Sequence, residues 1–249
     1  MYLFDNILRF PRLESTNKKA KELVVSDNLR EGSIVVCDEQ YAGRGYSSNS
    51  WESQPGKNIT ATWILNPSFL PIDKQFFLTK VLSLAVKETV NIFYNGPESV
   101  TIKWPNDIYV ADKKIAGILV ENNIAGNTIK ECFAGIGLNI NQETFSSDAP
   151  NPVSLKILTG NEYDINKCLE VLSEQIVHFY NILKSGESHM LDNPYSRNLY
   201  RIFEEAGFES VGKTFKGKIQ GTDPYGRLII MINQGEIKSF DFKEVAFII

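Results

Sequence analysis

The chain is poor in residues that hold metals or form disulfides. It has three widely spaced cysteines, Cys37, Cys132 and Cys168, and two histidines, His178 and His189. An odd cysteine count with no pair at metal-ligand spacing argues against a structural zinc site and a disulfide framework. It points to a reducing compartment, so a cytoplasmic protein with no metal ligands of its own is expected. No apolar run reaches the length of a membrane span. The first twenty residues, MYLFDNILRFPRLESTNKKA, scatter charge where a signal peptide needs an apolar stretch, and no membrane partner is expected. Excess positive charge is missing too. With 26 Lys and Arg against 30 Asp and Glu, the net charge is −4 and the pI about 5.4, which argues against a protein built mainly to bind nucleic acid.

What is present suits an ordinary globular protein. At 249 residues and 43% hydrophobic content, the chain can form one large domain, or a middle-sized one with a small module. A Ser/Thr/Asn cluster opens a helix over 14–24. Strands are expected at 32–40 and 59–65, with a polar, Gly/Ser-rich stretch, 41–58, between them. Apolar residues at 77, 78, 81, 82, 85 and 86 predict a long amphipathic helix over 73–93. Strands follow at 100–104, 108–112, 114–122 and 128–141, then a second long helix at 166–186. From about 211, short strands divided by turn residues predict a small β-barrel. The order is α+β followed by an all-β tail.

Three stretches carry chemistry. In GRGYSSNSWESQPGKN, Gly43 and Gly45 flank Arg44, a planar fork for phosphate or carboxylate, and Trp51 can stack on a planar base. Such a loop can equally be solvated, its tryptophan pinning it to the core. In KWPND followed by KKIAG, Lys103 and Lys114 bracket Asp107, a set that suits charge on a phosphoryl group. A plain hairpin with cross-strand ion pairs is the competing reading, though the Trp-Pro pair fits it less well. In GIGLNIN, Gly135 and Gly137 inside a strand imply close approach by a ligand or another backbone, or a bulge; Asn139 could bond a polar group there. His178, beside Phe179 and Tyr180, reads as packing, and His189 as a loop residue. No Ser-His-Asp set is visible.

Taken together, STN (15–17), DEQYAGRG with Trp51-Glu52-Ser53 and Gly56-Lys57-Asn58, KWPNDI (103–108), KIAGILVE (114–121) and GIGLNIN (135–141) resemble the biotin–protein ligases in order and spacing, from about residue 9 to the end. The resemblance implies a catalytic domain, 1–205, like that of class II aminoacyl-tRNA synthetases, and a small C-terminal SH3-like β-barrel, 206–249. It implies an ATP-dependent ligase that makes biotinyl-5′-AMP and transfers biotin to a lysine of a biotin carboxyl carrier protein or carrier domain. Substrates would be biotin and ATP with Mg2+. By the same resemblance Ser15, Thr16, Asn17, Gln40, Gly43, Arg44, Lys114 and Gly117 would bind biotin. Gly45, Trp51, Asn106 and Asn139 would bind the nucleotide. Arg44, Lys103, Asp107 and Lys114 would be catalytic, with Asp107 the partner of the incoming amine. A homodimer is allowed. Lipoate– or octanoate–protein ligase, and a non-catalytic biotin-binding sensor, are the alternatives.

Two departures from the family pattern matter. Many members read GRGRxGRxW; here Tyr46 and Asn49 replace arginines and Ser48 a glycine, so weaker electrostatic retention of the adenylate is expected than in a Tyr46→Arg variant. Only 14 residues precede Ser15, too few for the winged helix-turn-helix of repressor relatives, so a short form without a DNA-binding role is expected.

Overall fold

Strand β3, Ile59–Leu65, is buried along its whole length, as a strand covered on both faces must be. Ile59, Ala61, Trp63 and Leu65 belong to the larger core, whereas Ile64 packs with Ala20, Leu23, Val35 and Phe133 in a smaller one. The computed structural model of the chain describes residues 6–43, 45, 50–146, 151–232 and 235–248.

Seven strands form the main sheet: β1 (Asn6–Leu13), β2 (Ser33–Gln40), β3, β4 (Val100–Lys103), β5 (Asp107–Val110), β6 (Lys113–Ala125) and β7 (Thr128–Leu138), in the order β1-β2-β3-β7-β6-β5-β4. Only the β1–β2 pair is parallel; the other pairs are antiparallel. Helix α1 (Thr16–Ser26) covers one face. Helices α2 (Phe76–Phe93), α4 (Ile165–Lys184) and α5 (His189–Arg197) contribute to the larger core on the other, and α3 (Leu155–Thr159) is a short helix. A 3-10 turn, Ile72–Lys74, precedes α2, so the expected 73–93 helix is split at its start.

The C-terminal sheet holds β8 (Glu205–Ser210), β9 (Lys213–Thr222), β10 (Leu228–Ile232), β11 (Glu236–Phe240) and β12 (Ala246–Ile248), all antiparallel, in the order β11-β10-β9-β8-β12. It begins six residues before the expected change of pattern at 211. Trp104 fastens it to the main sheet, donating from Nε1 to the Gly226 carbonyl at 2.8 Å.

Several features differ from the sequence expectation. β1 is an edge strand with a mostly exposed pattern and Pro11 inside it, so it lacks an apolar run. Helix α5 contains Pro194 and starts at His189, which was expected in a loop. His178 lies exposed on α4, its ring edge against Phe179 at 4.9 Å, rather than packed inside. Among the described residues no helix is long and apolar enough to cross a membrane.

Candidate active site

Strand alternation and register place one transverse row on the α1 side of the main sheet. Lys103 lies opposite Asp107, Asp107 opposite Gly117, Gly117 opposite Gly137, and Gly137 opposite Thr60. Beside it runs a second row, Leu119, Gly135 and Thr62. Three motifs far apart in sequence thus meet on one face. They floor a cavity of about 450 Å³, which is walled by the N-terminus of α1, by Trp51, and by Phe242, Lys243, Val245, Ala246 and Phe247 of the C-terminal segment. That volume suits a small organic ligand.

One end of the cavity is polar and neutral. Ser15, the N-cap of α1, makes no side-chain cap bond to its helix. The Thr16 backbone N–H donates to Gln40 Oε1 at 2.8 Å. The Thr62 hydroxyl lies 2.8 Å from the Thr16 hydroxyl and 2.6 Å from Asn17 Oδ1. Asn17 Nδ2 donates to Glu121 Oε2 at 2.7 Å, and Lys21 pairs with the other oxygen of that carboxylate at 2.6 Å.

The other end is cationic. Lys114 Nζ lies 2.7 Å from Asp107 Oδ2. A register shift in the β5–β6 pairing at Ile108/Tyr109 changes which residues face each other there. Lys103 donates to the Tyr109 hydroxyl at 3.1 Å and sits 4.9 Å and 5.3 Å from the Tyr109 and Phe247 ring centres. Burial pulls the Lys103 pKa below its usual value of 10.5; Asp107 opposes this, while Lys114 and Arg201 add to it. Burial, then Asp107, raises the pKa of the Tyr109 phenol, keeping it a donor. The turn that carries Asp107 is held from three sides. Tyr195 donates to the Pro105 carbonyl at 3.1 Å, Ile118 N to the Asn106 carbonyl at 3.0 Å, and Asn106 Nδ2 to the Ile118 carbonyl. The Trp104–Pro105 bond is cis.

Three glycines of this floor make room for side chains. A Cβ on Gly137 would stand 2.2 Å from Trp51 Cε2, one on Gly117 3.2 Å from Trp51 Cζ3, and one on Gly135 2.5 Å from Asn17 Oδ1. The close approach expected over the β7 glycines is therefore made by side chains, not by another backbone. Trp51 is half-buried on this floor, and its Nε1 is enclosed without a hydrogen-bond partner among the described residues.

Of the residues expected in the site, Ser15, Thr16, Asn17, Gln40, Gly45, Trp51, Lys103, Asn106, Asp107, Lys114 and Gly117 all line this cavity. Gly43 stands behind it, its carbonyl accepting from Trp51 N at 2.9 Å. Asn139 is buried outside the lining, with Nδ2 donating to the Val153 carbonyl at 3.0 Å. Arg44, and with it Tyr46, Ser48 and Asn49, lies outside the described residues. KWPND is both things the sequence suggested, a hairpin carrying a cross-strand pair and a wall of the cavity. Sequence reasoning missed Phe247, Tyr109, Thr62 and Glu121. Only period-two counting from Lys103 and Gly135 across the sheet could have found the last three. Among the described residues no group of three or more His, Cys, Asp or Glu could hold a metal ion.

Comparison with known proteins fits this geometry. Residues 9–139 match the model of the biotin/lipoate A/B protein ligase family. The chain belongs to that family. Within the family, it is 32% identical over 237 residues to the bifunctional ligase/repressor BirA of Bacillus subtilis, covering 90% of this chain and 68% of that protein. It is 27% identical over 223 residues to the biotin–[acetyl-CoA-carboxylase] ligase of Paracoccus denitrificans, covering 88% and 91%. The fold is shared with the biotin protein ligase from Aquifex aeolicus in complex with biotin and ATP, at a TM-score of 0.81 and 24% identity over 98% of this chain and 99% of that one.

Proposed function

We propose that this protein is an ATP-dependent biotin–protein ligase, acting on the lysine of a biotin carboxyl carrier protein or carrier domain. One observation carries the reading. A single cavity has a neutral hydrogen-bonding end at Ser15, Thr16 and Gln40 and a cationic end at Lys103 and Lys114. An acid with a polar, uncharged head and a carboxylate tail complements both ends at once. The names of the Paracoccus and Bacillus relatives support the same chemistry.

In the first step a carboxylate oxygen of biotin attacks the α-phosphorus of ATP; the new P–O bond forms as the bond to pyrophosphate breaks. Both partners are anionic, and Lys114 and Lys103 lower the cost of their meeting. Holding them in one cavity removes the entropy cost of encounter. In the second step the carrier's lysine nitrogen attacks the acyl carbon. A C–N bond forms, the C–O bond to AMP breaks, and the ammonium proton must leave. Asp107 is read as the acceptor of that proton once Lys114 has turned to the phosphate. ATP enters with magnesium as its counter-ion, part of the substrate. Arg44 and Gly43 are assigned to biotin and the adenylate, Trp51 to the adenine, and Asn106 to the nucleotide side. The main sheet is read as a class II synthetase-like catalytic domain, 1–205, and the C-terminal sheet as an SH3-like barrel, 206–249, in a cytoplasmic enzyme.

Pyrophosphate exchange into ATP tests this, with biotin, lipoate and octanoate compared. Exchange with biotin alone is expected. Exchange with lipoate or octanoate would move the protein to the other branch of its family, and biotin binding with no exchange would make it a sensor.

A further inference from the structure

Thr62 is completely buried on β3, yet its hydroxyl holds the two α1 residues that face the cavity. The protons in this cluster can be assigned from its far end. Asn17 Nδ2 gives its hydrogens to two groups that only accept, the Glu121 carboxylate at 2.7 Å and the Leu119 carbonyl at 3.3 Å. The amide is thereby oriented, and Oδ1 faces Thr62. Because Oδ1 can only accept, the single Thr62 proton goes to it. Thr62 then accepts from Thr16 at 2.8 Å; the other acceptor near that hydroxyl is Gln40 Oε1 at 3.2 Å. Thr62 is the nearer acceptor, and Gln40 Oε1 already takes the Thr16 backbone N–H, so the Thr16 proton points to Thr62 and the Thr16 oxygen, on a residue that lines the cavity, is left to accept. Gln40 is oriented too. Its Oε1 is taken by the Thr16 backbone N–H, which leaves Nε2 as a donor.

We propose that Thr62 and Glu121, neither of which lines the cavity, are positioning residues. They lock Thr16 as a hydrogen-bond acceptor beside the Gln40 donor, and so make the site select an acid whose head group carries N–H as well as C=O. This rests on the functional reading above. The ureido ring of biotin has one carbonyl and two N–H groups, which is the complement of that pair. The dithiolane of lipoate and the alkyl end of octanoate have no N–H, and would leave the Thr16 lone pair buried and unmatched, a mismatch that polar sites discriminate strongly. Gly135 belongs to the device, since a Cβ there would stand 2.5 Å from Asn17 Oδ1.

The test is calorimetric affinity for biotin and for its two isosteric oxazolidinone analogues, in each of which one ureido N–H is replaced by oxygen. Wild type, Thr62→Val, Thr62→Ser and Glu121→Leu are compared, with KM for biotin and for ATP measured alongside. Wild type should prefer biotin by about tenfold or more over the analogue that loses the Thr16 bond. In Thr62→Val the Thr16 hydroxyl can turn outward and donate. The preference should then shrink to within about threefold, with biotin KM up about tenfold and ATP KM within about twofold. Thr62→Ser should keep the wild-type preference. An unchanged preference in Thr62→Val, or equal loss in Val and Ser variants, would overturn the proposal. If Thr62→Val does not fold, Glu121→Leu, which has no acceptor for Asn17 Nδ2, carries the test, and a wild-type preference there overturns it. Wild type that binds no biotin would instead overturn the functional reading.

Discussion

Lys114 Nζ and Asp107 Oδ2 stand 2.7 Å apart on adjacent strands. The pairing keeps the lysine at the site while no phosphate is there and keeps the carboxylate occupied. If Lys114 serves adenylation and Asp107 serves transfer, the half-reactions separate. Lys114→Ala should lower pyrophosphate exchange by roughly 10²–10³-fold. Asp107→Asn should leave exchange within a few-fold and slow single-turnover transfer to the carrier lysine by roughly 10²–10⁴-fold. Equal loss of both half-reactions in Asp107→Asn would remove its assigned role.

Gly137 is where Trp51 rests, and a methyl there would meet its ring at 2.2 Å. Gly137→Ala should therefore cost about 1–3 kcal/mol through overpacking and should raise the KM for ATP as the ring is displaced. Because the two residues share one space, the effects should not add. The double variant Trp51→Ala/Gly137→Ala should melt within about 1 °C of Trp51→Ala alone. An additive result in thermal denaturation would mean that the glycine is needed for another reason.

Much of this fold is legible as pattern. The β3 alternation, the α2 apolar stripe and the turn residues after 211 each announce an element through its period. The charged motifs announced the cavity through their residue types. What stayed hidden depended on register. Nothing local says that Asp107 faces Gly117, that Gly117 faces Gly137, or that Thr62 lands under Thr16. Those meetings follow from pairing strands distant in sequence. β1 and α5 were missed for a simpler reason. One is an exposed edge strand and the other a short helix broken in composition by Pro194, so neither has the apolar periodicity that marks a buried element.

Lys103 should reveal itself through pH. Burial depresses its folded-state pKa below the 10.5 of a free lysine. At lower pH both states carry the proton, and the fold bears the cost of the half-buried charge. Between the folded pKa and 10.5 the unfolded chain binds more protons, so this residue's contribution to stability rises with pH. Lys103→Met, which removes the charge over the Tyr109 and Phe247 rings but keeps a long side chain there, should raise Tm at pH 7. That gain should shrink toward pH 10, while pyrophosphate exchange is lost. A gain independent of pH, or a lower Tm at pH 7, would contradict this account.

Trp104 couples the cavity to the C-terminal sheet. Its indole N–H reaches the Gly226 carbonyl at 2.8 Å, and its ring packs on Phe242 at 5.9 Å, while Phe242, Lys243, Val245, Ala246 and Phe247 form one wall of the cavity. Gly226 has φ 90°, and a Cβ there would meet Phe76 at 2.3 Å, so the carbonyl has little freedom to find another partner. Trp104→Phe keeps an aromatic ring but leaves that buried carbonyl unsatisfied, at a cost of roughly 1–3 kcal/mol. If the bond only stabilised the fold, the variant would melt earlier and turn over normally below its Tm. If it also sets the cavity wall, amide exchange over β12 should quicken and exchange activity should fall several-fold at 25 °C, where the protein is still folded. Hydrogen exchange and pyrophosphate exchange on one preparation distinguish the two. Unchanged β12 protection with unchanged turnover would confine Trp104 to packing.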